Sequence, residues 1–132
     1  MKPIANVGVR SDGPNYRHAI ETGHGHALVA DEPVEGGGNT GPAPYELFLS
    51  GLGACTAITL RMYAERKAWD IGELKVELTL LKDREGNARI ERRLHSSAPL
   101  SDEQWQKLLA IAEKTPVTLT VKQGAPIATT RG

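Results

Sequence analysis

The sequence predicts an α+β fold, mostly antiparallel sheet wrapped around a central buried helix, and three stretches predict it. Leu47 to Leu60 is apolar on nearly every side and lies in a proline-free run from Tyr45 to about Arg66, the composition of a helix surrounded by protein. Leu74, Val76, Leu78 and Leu80 alternate with Lys75, Glu77 and Thr79, the pattern of a half-buried strand. Ser101 followed by Gln104 is a capping box that opens a second helix.

The N-terminal quarter reads as short strands. Ile4 to Arg10 places Ala5, Val7 and Val9 on one face, and Ser11-Asp12-Gly13-Pro14-Asn15 is a turn. Tyr16, His18 and Ile20 alternate in a returning strand. After Gly23-His24-Gly25, a third strand runs from His26 to Ala30 and ends at Asp31-Glu32-Pro33. His24 and His26 could supply two metal ligands. No cysteine pair or HExxH helix accompanies them, so they read as turn and surface residues, and no metal is expected. Gly36, Gly38 and Gly41 formally spell G-x-G-x-x-G. Charged residues precede the motif and Pro42 and Pro44 follow it, whereas a dinucleotide site needs a buried strand before and a helix directly after. No cofactor is expected, and the glycines serve a sharp turn into the helix.

Pro42 and Pro44 break any earlier structure, and proline is tolerated in a helical first turn, where its missing N–H would be unpaired anyway. The apolar run of about 14 residues is too short to span a bilayer, which places it in a soluble core. Cys55, the chain's only cysteine, sits in its middle. At about 100° per residue, Phe48, Gly51, Leu52, Ile58, Thr59 and Met62 fall within about 60° of it. Such an apolar wall with one hydroxyl leaves a thiol inert unless a cation arrives from elsewhere, and a structural buried cysteine is one reading.

Beyond the helix, Trp69 and Gly72 mark an exit turn, and Asp83 to Ala88 reads as a hairpin loop into a strand from Arg89 to His95. Arg89, Arg92 and Arg93 read as that strand's solvated side. The second helix carries Asp102 and Glu103 at its start and Lys114 at its end, matching the macrodipole. Trp105, Leu108, Leu109 and Ala112 form its apolar stripe. Thr115 before Pro116 ends it, and Val117, Leu119 and Val121 alternate as a last strand.

A chain of 132 residues fits one domain over 1–132. Lys plus Arg and Asp plus Glu balance at 16 each, so neither nucleic acid nor an anionic membrane is implied as a partner. The start, MKPIANVGVR, has no apolar h-region, and a lone cysteine suits a reducing compartment, so a cytoplasmic location is expected. An all-round apolar helix needs more cover than one small sheet and one helix supply. A second copy of the chain, a homodimer, would supply it.

GGGNTGPAPYELFLSGLGACTAITLRMYAERKAW, preceded by Asp31-Glu32-Pro33 and followed by Ile90-x-Arg92 and Pro116-Val117, resembles the signature of the OsmC/Ohr superfamily of osmotically inducible and organic-hydroperoxide-resistance proteins. The resemblance implies an intertwined α+β homodimer and puts Cys55 in the peroxidatic position. It also implies an arginine from the N-terminal segment beside the thiolate, Arg10 or Arg17. Three departures stand out. Thr115 occupies the place of a resolving cysteine, Thr118 that of a histidine, and Tyr45 that of a catalytic glutamate. Glu46 comes one place later, about 180° around the helix from Cys55. Two functions follow from the resemblance. One is a one-cysteine peroxidase that reduces small hydrophobic organic hydroperoxides with an external thiol reductant, as part of an oxidative stress response. The other is a noncatalytic binder of small hydrophobic ligands, keeping Phe48, Leu52, Ile58, Thr59 and Met62 as its wall.

Overall fold

The computed structural model describes residues 1–132. In chain order it forms β1 (Val7–Ser11), β2 (His18–Thr22), β3 (Ala27–Ala30), α1 (Pro44–Arg66), β4 (Leu74–Lys82), β5 (Ala88–Ser96), α2 (Asp102–Ala112) and α3 (Pro116–Gln123). The fold is α+β with antiparallel pairing throughout. The chain divides into two compact units, Met1–Phe48 and Leu49–Gly132, and α1 begins in the first and continues in the second.

In the first unit the sheet runs β1-β2-β3, with Val9 opposite Ile20 and Ile20 opposite Leu28. The first strand starts at Val7 rather than Ile4. Val7 pairs with Thr22, the last residue of β2, and Gly23 N–H still donates to the Asn6 carbonyl at 2.9 Å, but the chain then turns into β3 and leaves Ile4 outside the strand. Asp31, only 2% exposed, ties the unit together. Its carboxylate accepts from the backbone N–H groups of Tyr16 at 3.1 Å, Glu32 at 2.8 Å and Thr40 at 3.1 Å, and from the Thr40 hydroxyl at 2.6 Å. These bonds, the Thr40 hydroxyl foremost, hold the carboxyl far below the usual carboxylate range. Gly37 crowds the same hub. A Cβ there would lie 2.7 Å from the Glu32 carbonyl oxygen and 2.8 Å from Asp31 Oδ1, so that glycine serves close approach within the loop.

In the second unit α1 buries Leu52, Gly53, Thr56, Leu60 and Ala64, residues about one helical turn apart on one face. Leu60 and Ala64 join Ile71, Leu108 and Ala112 in the core, with Tyr63, Trp69, Leu74, Leu94, Leu100 and Ile111 packed against it. Tyr63 meets Trp69 edge to face at 5.5 Å. Gly53 lets α1 press onto β4, since a Cβ there would stand 2.7 Å from Leu78 Cδ1. By length and composition alone α1 could cross a membrane, yet its packed stripe is that of a globular core helix.

β4 and β5 pair from Leu74 with Ser96 to Lys82 with Ala88. Their loop is closed by Asp83 Oδ1, which accepts from the N–H groups of Glu85 and Asn87 at 2.9 Å, with Gly86 at φ 90°. The capping box of α2 is present, Ser101 Oγ accepting from Gln104 N–H and Gln104 Oε1 from Ser101 N–H.

Three further expectations need correction. Val117 to Val121 is not a strand but part of α3, with Pro116 in its first turn and Thr118 buried. The apolar alternation there coincided with a helix whose buried residue, Thr118, lies three places after its buried N-cap, Thr115, both of them hydroxyls. Arg92 is not solvated: its side chain is 13% exposed. Leu109, expected in the apolar stripe of α2, is exposed, because Leu108, Ile111 and Ala112 take the inward face. Within this chain α1 keeps one face uncovered. Ile58 is 55% and Met62 53% exposed.

Candidate functional site

Cys55 lies on α1, half-buried, at the border between the packed stripe and the exposed face. The residue after it, Thr56, is fully buried and donates its hydroxyl to the Leu52 carbonyl at 2.8 Å, a back-bond within the helix. The predicted apolar wall therefore splits. Leu52 belongs to the buried stripe, Thr59 is half-buried, and Gly51, Ile58 and Met62 are exposed. Phe48, the last residue of the first unit, is also exposed.

The thiol is met by the start of α3. Val117 N–H donates to Cys55 Sγ at 3.5 Å. Pro116 has no N–H, so Val117 carries the first N–H of this helix, one that has no acceptor inside the helix. Helix N-termini carry partial positive charge and favour anions.

Beside this contact lies a buried polar cluster. Arg92 Nη1 donates to Thr56 Oγ1 at 2.9 Å and to Thr118 Oγ1 at 2.8 Å. Arg92 Nη2 donates to the Ala112 carbonyl at 2.7 Å and to Glu113 Oε2 at 3.4 Å. Thr115 and Thr118 share a hydroxyl–hydroxyl bond of 2.7 Å. A guanidinium so little exposed needs such partners, because an unpaired buried charge is costly. Ala112 closes α2, and its carbonyl is among those a helix leaves free at its C-terminus. Glu113 also accepts from Lys122 Nζ at 2.8 Å. Lys122 first, and Arg92 with it, hold the Glu113 carboxyl below its usual range.

Arg92 escaped the sequence reading, although the signal was present. Strand residues of one parity share a face, and Arg92 stands between Ile90 and Leu94, on the inward side of β5. Arg89 and Arg93 are exposed on the other.

The remaining predicted site residues are engaged locally. In the first unit Arg10 lies 3.9 Å from Glu21, both well exposed, and Arg17 Nε is 3.2 Å from Asp12. Glu46 accepts at Oε1 from Ala43 N–H at 2.8 Å, half a capping box at the start of α1. His24 and His26 lie exposed around the β2–β3 turn.

Several solved structures share this fold. An OsmC-like protein from Mycoplasma pneumoniae is 18% identical with a TM-score of 0.73, over 92% of this chain and 89% of that one. The organic hydroperoxide resistance protein OhrB of Bacillus subtilis is 26% identical with a TM-score of 0.61, over 89% and 90%. An organic hydroperoxide resistance protein from Elizabethkingia anophelis is 22% identical with a TM-score of 0.65, over 92% and 91%. No curated protein sequence matches significantly. The profile of the OsmC-like proteins matches residues 36–130, which include the glycine loop, Cys55 and the whole Arg92 cluster, and the chain belongs to that family.

Proposed function

We propose that this protein is a stress-response peroxidase that reduces organic hydroperoxides through Cys55 alone. The observation that carries the reading is the Val117 N–H at the start of α3, which donates to the half-buried sulfur of Cys55. Relatives of the same fold named as organic hydroperoxide resistance proteins support it.

The chemistry balances as follows. The Cys55 thiolate attacks the distal oxygen of ROOH, forming S–O and breaking O–O. The leaving alkoxide takes a proton to become ROH, and Cys55 is left as a sulfenic acid. An external thiol then attacks that sulfur, releases water and leaves a mixed disulfide. A second thiol regenerates Cys55 and departs as the oxidised disulfide. The exposed apolar residues Ile58 and Met62 on α1 favour a hydrophobic R group over hydrogen peroxide.

A second reading, a noncatalytic binder of small hydrophobic ligands, draws on Thr115 and Thr118. Their hydroxyls, at the family's cysteine and histidine positions, are engaged with each other and with Arg92. Mass spectrometry after one equivalent of cumene hydroperoxide, or of hydrogen peroxide, decides between the two. The peroxidase adds one oxygen to Cys55, faster with the organic oxidant. An unmodified Cys55 with both would leave the binder.

A further inference from the structure

We infer that Arg92 is a positioning residue for Cys55: its guanidinium seats the start of α3 on α1, so that the Val117 N–H stays on the thiol. The inference rests on the reading of Cys55 as the reactive group. The Sγ contact joins Cys55 to Val117, and the residue after each of them, Thr56 and Thr118, takes a hydrogen bond from the same Arg92 nitrogen. One atom on β5 therefore fixes the spacing of the two helices one residue from the place where it matters. The other terminal nitrogen holds the Ala112 carbonyl and the Glu113 carboxylate, the end of α2 from which the chain turns into α3. Glu113 in turn receives Lys122 from the far end of α3. A planar fork can serve these separate directions at once, whereas an ammonium cannot hold the same geometry.

The hydroxyls do not depend on Arg92 to be satisfied. Thr56 donates to Leu52 and Thr118 bonds Thr115, so an apolar side chain of similar length would loosen the seat without stranding either of them. That separates positioning from mere support of the core.

The test reads the contact itself. Val117 N–H has no acceptor within α3, so its hydrogen-exchange protection, followed by NMR, reports the bond to sulfur, and Cys55→Ala gives the unprotected limit. Arg92→Met is expected to bring Val117 to that limit and to slow alkylation of Cys55 by iodoacetamide at neutral pH by roughly ten-fold or more, the worth of a hydrogen bond to a charged acceptor. The amides of Leu60 and Leu108 should stay slow. Arg92→Lys should fall between Met and wild type. Thr56→Val cuts the α1 leg, losing besides only the back-bond to the Leu52 carbonyl, and should show the same two losses, so it decides the matter if Arg92→Met fails to fold. Unchanged Val117 protection with unchanged alkylation, in either folded variant, overturns the inference. A wild-type Cys55 that alkylates but resists cumene hydroperoxide would overturn the peroxidase reading instead, and the exchange at Val117 would still judge Arg92.

Discussion

A thiol with no second thiol in its own chain has two fates once oxidised. Cys55 is the only cysteine, and Thr115, where the family resemblance would put a resolving cysteine, is fully buried and bonded to Thr118. Its sulfenic acid must meet an external thiol or oxidise further. Excess cumene hydroperoxide alone should therefore carry Cys55 to a species two oxygens heavier and stop turnover, while a small thiol added from the start should sustain it. Successive mass spectra, with peroxide consumption measured alongside, check both halves. Glu46 makes the opposite point at the same scale. It accepts the Ala43 N–H at the start of α1, a role glutamine can also fill. Glu46→Gln should leave both the melting temperature and the Cys55 alkylation rate close to wild type. Glu46→Ala should cost about 0.5–1 kcal/mol of stability, again without slowing the thiol. A large loss of thiol reactivity in either variant would make Glu46 part of the Cys55 site.

Among the elements, those with a strong local cause were legible. α2 carries its start signal in Ser101 and Gln104, and Ser101→Ala should destabilise the protein by about 1 kcal/mol, measured by denaturant unfolding. β4 showed itself by alternation, because one face packs and the other is wet. α3 did not, since Val117, Leu119 and Val121 imitate a strand and its true inward face is built from threonine hydroxyls. Arg92 was hidden by its type: its parity with Ile90 and Leu94 points inward, but a charge on an inward face reads as solvated because burying it unpaired is costly. The Asp31 loop was seen as a turn, but its bonds to Tyr16 and Thr40 join residues that sequence spacing does not link. That loop should also set the acid limit of the first unit. Asp31 has a lowered native pKa, so the unfolded chain takes up its proton first as pH falls. Its contribution is whole above the unfolded carboxyl pKa, about 3.9, and is lost progressively as pH falls below it toward the lower native value. Asp31→Asn should lower the melting temperature at neutral pH and flatten its fall in acid. An acid profile identical to wild type would refute this account.

The whole molecule turns on the uncovered face of α1. Within the chain the helix buries one stripe and leaves Ile58 55% and Met62 53% exposed. Gly53 is taken by Leu78 of β4, whereas a Cβ on Gly51 would meet nothing within 4 Å. Gly51, Ala54, Ile58 and Met62 are thus the residues a second copy would cover, and a homodimer is the expected state in sedimentation at micromolar concentration. Gly51→Leu gives a test in which the two alternatives differ in sign. In a solvated helix it should stabilise the protein, because glycine costs about 0.5–1 kcal/mol relative to alanine or leucine in a helix interior and nothing stands in the way. In a close helix–helix contact the added side chain has no room. The variant should then sediment as a monomer, or unfold at lower denaturant, with the loss growing as the protein is diluted. A more stable Gly51→Leu protein, unchanged in mass from a monomeric wild type, would assign that face of α1 to solvent.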